Sequence, residues 1–106
     1  MSNKKIAELL AVLDMTKFEQ KDWVRHNSMP YLWRGSLADL AFRLRDEVAN
    51  GKLKIANGDT SAWYVGLQMV EGYLGESSAW LMHRSKPIHW IIAALIAKEL
   101  ANEKDR

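Results

Sequence analysis

Residues 88–100, Ile-His-Trp-Ile-Ile-Ala-Ala-Leu-Ile-Ala-Lys-Glu-Leu, place ten apolar side chains in thirteen positions and leave almost no polar face. A helix that is apolar all round is stable only when covered on several sides, so the rest of the chain, or a second copy, must surround it. Pro87 suits the first turn, where its missing N–H has no intrahelical partner to lose. The unbroken apolar run from Trp90 to Ala97 is far shorter than the ~20 residues of a bilayer-spanning helix. No membrane span is expected, and this segment is predicted to be the centre of a folded domain.

The 106 residues are enough for one domain, which buries roughly two-thirds of the surface that its unfolded chain exposes. With 48% apolar and 26% charged residues, the composition is that of a globular protein rather than a disordered one. Fifteen basic and thirteen acidic side chains leave a formal charge of +2, too small to demand a polyanionic partner. The absence of cysteine removes disulfides, thiolate nucleophiles and zinc–sulfur sites, and fits a reducing compartment. A cytoplasmic location is expected, since the basic start is followed by Glu8 and Asp14 without a secretory cleavage pattern.

Ile6, Leu9, Leu10 and Leu13 follow the i, i+3, i+4, i+7 spacing of a helical stripe, which predicts a helix over 4–14. Thr16 with Glu19 three positions on forms a capping-box pattern. It predicts a second helix, reaching about Arg25 and burying Phe18, Trp23 and Val24 imperfectly, with Asn27-Ser28-Met29-Pro30 as its stop. Ser36 and Asp39 give a weaker start signal for a helix over about 37–49, whose stripe is Leu37, Leu40, Ala41, Leu44 and Val48 and whose stop is Asn50-Gly51. Lys52 to Ile55 alternates charge and apolar group, as a short strand or a pinned connector would, and Asn57-Gly58-Asp59 is a turn.

Residues 60–84 support two readings. Trp63, Leu67, Val70 and Leu74 make a helical stripe with Asp59 or Thr60 as cap and Gly75 as stop. Trp63, Val65, Leu67 and Met69 also line one face of a strand, and Gly66 and Gly72 each weaken a helix by about 1 kcal/mol. Ser77 or Ser78 would start a further short helical segment, or 79–83 a last strand. The fold class expected is all-α, four or five helices packed around 88–100. The alternative is an α+β layer with a small antiparallel sheet from 52–56, 62–70 and 79–84.

Catalytic and metal-binding signals are sparse, and neither a cofactor nor an enzymatic activity is expected. His83 and His89 do not stand at a recognised ligand spacing, and His89 reads as a histidine hydrogen-bonded within the core. Ser85, the serine nearest to both, reads as a cap of the last helix. Gly66, Gly72 and Gly75 are scattered among apolar residues, unlike a phosphate-binding loop. As a helix-turn-helix the first two helices fall short, because the Asp14-Met15-Thr16 turn lacks glycine and the second helix mixes charges.

The densest cluster of binding-type residues is Trp23, Arg25, His26, Tyr31, Trp33 and Arg34, followed by Arg43 and Arg45. Residues 25–54 carry six basic against three acidic side chains. Tryptophan, tyrosine and arginine are the residues of protein-binding hot spots, and the same types stack bases and neutralise phosphates. Trp23, Arg25, Tyr31, Trp33, Arg34, Arg43 and Arg45 are therefore the candidate contact residues. The expected function is that of a non-catalytic interaction domain binding a protein partner or itself as a homo-oligomer, with nucleic-acid binding as the alternative.

Overall fold

The computed structural model describes residues 3–27, 35–50, 54–55, 60–76 and 84–104. Among them are five α-helices: α1 (Asn3–Ala11), α2 (Lys17–Asn27), α3 (Leu37–Asn50), α4 (Ala62–Leu74) and α5 (Pro87–Lys104). The fold is all-α. The exception is a short ribbon in which β1 (Lys54–Ile55) pairs antiparallel with β2 (Thr60–Ser61), Lys54 opposite Ser61 and Ile55 opposite Thr60. The wider sheet of the α+β alternative does not form, since residues 62–70 lie within α4. The signals at 28–30, 51–53, 56–59 and 77–83, His83 among them, lie outside the described residues.

α5 is the organising element. Ile88, Ile91, Ile92, Ala93, Ala94, Ile96, Ala97 and Ala101 are all buried, so most of its circumference is covered, with Trp90 and Leu95 left part-buried. α3 and α4 supply most of the cover, with smaller contributions from α1 and β1, in a body with a radius of gyration of 13.0 Å. From α3 come Leu40, Ala41, Leu44 and Val48, the stripe read from the sequence. Ser36 caps that helix by accepting the Asp39 N–H at 3.1 Å, as expected of an N-cap.

Over 62–74 the ambiguity is resolved in favour of a helix, and the contact between α4 and α5 shows why. A Cβ on Gly66 would stand 2.2 Å from the carbonyl oxygen of Ala93, so the two backbones touch where a side chain would hold them apart. The glycine that weakens α4 as an isolated helix is what lets it pack here. α4 ends on Gly75, which has φ +70. The Gly75 N–H donates to the Gly72 carbonyl and the Glu76 N–H to the Glu71 carbonyl, the paired bonds of a Schellman stop.

At the other end of the chain, α1 tightens into a 3₁₀ turn over Val12–Asp14 instead of continuing to residue 14. The turn buries Val12 completely. Gln20 holds it by donating to the carbonyls of Met15 at 3.1 Å and Val12 at 3.4 Å. The Thr16–Glu19 capping box forms as expected: the Glu19 N–H donates to Thr16 Oγ1 at 3.3 Å and the Thr16 N–H to the Glu19 carboxylate at 2.9 Å. α2 itself buries Val24 and packs Trp23 part-way, but Phe18 is 74% exposed, contrary to expectation. The i, i+5, i+6 spacing of Phe18, Trp23 and Val24 turns Phe18 well off the face that the other two share. The hydroxyl of Tyr73 on α4 donates to Asp14, tying the 3₁₀ turn to the core.

Candidate interaction surface

The α3 stripe that faces the core leaves Ala38, Phe42 and Arg45 on its flank beside the start of α5. Phe42 remains 52% exposed there. Its ring meets Trp90 edge-on, centroids 5.8 Å apart, and Trp90 meets Trp63 of α4 edge-on at 6.1 Å. Such edge-to-face pairs are worth ~0.5–1.5 kcal/mol beyond the area they bury. The Trp90 ring is oriented by its indole N–H, which donates to Ser85 Oγ at 2.7 Å. The Arg45 guanidinium sits 5.0 Å from the Phe42 centroid and 5.3 Å from that of Trp90, a cation over two aromatic faces. Asp46 accepts from Arg45 Nε and Nη2 and fixes it in that pose.

Between α3 and α5 the cluster borders an open groove of about 240 Å³. Ala38 and Ala41 contribute one wall, Phe42 and Trp90 rise at its sides, and Pro87 and Lys86 close the α5 end. The groove is apolar, and among the described residues that line it Lys86 is the charged one. No family model, curated protein or solved structure matches this chain. The surface is therefore read from its own geometry.

A second hollow, about 270 Å³, opens where α1, α2 and α5 meet, with Lys5, His26, Asn27, Lys98 and Glu99 around Leu9 and Leu95. Lys98 is already paired with Glu47 of α3 at 2.7 Å. Asn27 Nδ2 is bound to the Trp23 carbonyl at 2.8 Å. The hollow combines both charge signs. Among the described residues no three histidine, aspartate or glutamate side chains converge as metal ligands. No described helix is long and apolar enough to cross a membrane.

His89 is buried in the first turn of α5, hydrogen-bonded as the sequence suggested. Its Nδ1 accepts the Lys86 N–H at 2.7 Å, so the imidazole takes the place that a glutamate or glutamine fills in a capping box. Burial pushes its pKa below the ordinary value, and the Lys86 charge adds to the shift. Accepting at Nδ1 also requires that nitrogen to be unprotonated. Ser85, expected as a cap here, orients Trp90.

Of the residues singled out in the sequence, Arg45 belongs to the aromatic cluster. Trp23 packs part-buried against the core, while Arg25 on α2 and Arg43 on α3 are exposed. Tyr31, Trp33 and Arg34 lie outside the described residues. Phe42, Trp90, Ala38 and Lys86 were missed. For Phe42 a signal exists: it is a large apolar residue off the stripe 37, 40, 41, 44, 48, and hence one that the helix's own core does not bury.

Proposed function

We propose that this chain is a non-catalytic, cytoplasmic protein-interaction domain that associates with copies of itself through the α3–α5 groove and its aromatic rim. The observation that carries this reading is Phe42, half-exposed beside an apolar groove and stacked under Arg45. Aromatic side chains and arginine around a desolvatable pocket are what interface hot spots are made of. A stable interface buries ~800 Å² on each partner. Against the 6779 Å² that this chain exposes, a contact of that size is a small share of the surface.

The test is the solution mass measured by light scattering across a hundredfold range of protein concentration. Self-association predicts a mass that rises from 12.2 kDa toward a multiple of it, and Phe42→Ala shifts that rise to higher concentration. A mass fixed at the monomer value throughout rules the reading out. Nucleic-acid binding is the second reading, favoured by the exposed Arg25 and Arg43. It predicts an affinity for DNA or RNA oligonucleotides that falls steeply between two salt concentrations, and no binding at the lower salt ends it.

A further inference from the structure

The charges that the sequence mixes along α2 are sorted by the fold. Lys17, Lys21 and Arg25 recur one helical turn apart, and Phe18 stands on the same stripe, one turn before Lys21 and two before Arg25. All four side chains are exposed, and Phe18, at 74%, is the most exposed of the large apolar side chains among the described residues. Among the described residues no ion pair or hydrogen bond engages the side chains of the three cations. The Glu19 carboxylate lies off the stripe and accepts from the Thr16 N–H and hydroxyl, while Asp22, at the border of the stripe, is part-buried. What faces solvent is a strip of three cations around an uncovered ring, with one carboxylate at its edge.

A cationic strip with an aromatic face is the combination that binds single-stranded nucleic acid, phosphates on the cations and a base on the ring. Stacking requires a base whose face is free, which a paired duplex does not offer. A bilayer surface fits less well, because it takes up a helix through a broad apolar face, and Trp23 and Val24 are turned to the core instead. From Lys17 to Arg25 the strip runs ~12 Å at ~1.5 Å per residue, the reach of about four nucleotides stacked at ~3.4 Å. We infer that the Lys17, Lys21 and Arg25 face of α2 binds single-stranded nucleic acid over about four nucleotides, with one base stacked on Phe18. This rests on the nucleic-acid reading and adds the surface, the strand form and the length bound.

The experiment is fluorescence anisotropy of a short labelled oligothymidylate or oligouridylate with the full chain at low salt, repeated with the matching duplex. The single strand binds more tightly than the duplex. Phe18→Ala weakens binding about five- to a hundredfold, the loss of one stacked base, and Phe18→Trp retains it. Lys21→Gln weakens binding and lowers the slope of log affinity against log salt by about 0.7, one phosphate contact. Both positions are exposed, so each variant is expected to keep its helical circular dichroism. If neither oligonucleotide binds the unaltered chain, the nucleic-acid reading falls and this inference with it. If a single strand binds but either Phe18→Ala or Lys21→Gln binds it as the unaltered chain does, that reading stands on another surface and the inference is overturned. A duplex bound as tightly as the single strand overturns it too. Capture by phosphatidylserine vesicles in place of the oligonucleotides assigns the face to a membrane and overturns it likewise.

Discussion

Gly66 and Gly72 lie on one helix and respond oppositely to one substitution. At Gly66 the added methyl meets the Ala93 carbonyl oxygen, and because that atom is backbone, no side chain can move aside. Gly66→Ala therefore costs at least the upper part of the ~1–3 kcal/mol of an overpacked site. At Gly72 the methyl meets nothing within 4 Å, and Gly72→Ala gains ~0.5–1 kcal/mol from the reduced freedom of the unfolded chain. Thermal unfolding separates the two: the midpoint falls for the first and rises for the second, by ~4–8 °C per kcal/mol for a domain near this size. His89 sets the acid side of stability. Its folded pKa lies below the ordinary histidine value of about 6.5, so its contribution is complete above that value and is lost as pH falls through the folded pKa. Unfolding midpoints measured from pH 7.5 to 5 should decline. His89→Gln, which offers the Lys86 N–H an acceptor that does not titrate, should flatten the decline.

The elements differ in what holds them. α5 is enclosed, whereas α2 rests on Val24, part of Trp23, its capping box and the Gln20 bonds. Amide exchange should therefore be slowest in α5 and much faster in α2. Thr16→Ala, which costs ~1 kcal/mol as the loss of an N-cap, should speed exchange across α2 while leaving α5 protected; equal acceleration in both would show that α2 opens only with the whole fold. Start and stop signals were legible in the sequence wherever they are local: Thr16 with Glu19, Ser36, Pro87 and Gly75 act where they stand. The helical nature of α4 was half-legible, because the need for Gly66 arises from a neighbour that the linear sequence does not reveal. Phe18 was misjudged for a local reason, its position off the helical stripe.

For the molecule as a whole, the apolar segment 88–100 announced the architecture, and covering it fixed where α3, α4 and α1 must go. Ile92 is fully buried at that centre. Ile92→Ala should cost ~2–5 kcal/mol out of the ~5–15 kcal/mol typical of a domain. Urea unfolding should show the transition midpoint moving sharply down with little change in slope. The candidate surface was far less legible. Arg45 was picked out by residue type and Phe42 stands one helical turn before it on α3, but Trp90 belongs to a helix distant in sequence, and only folding brings it to them. The position of α5 has a consequence for biosynthesis. The three helices that cover α5, namely α1, α3 and α4, all precede it, so a nascent chain has no centre for them to close around until α5 has emerged from the ribosome. The earlier segments must wait, greasy faces uncovered, in the care of whatever chaperones meet them first.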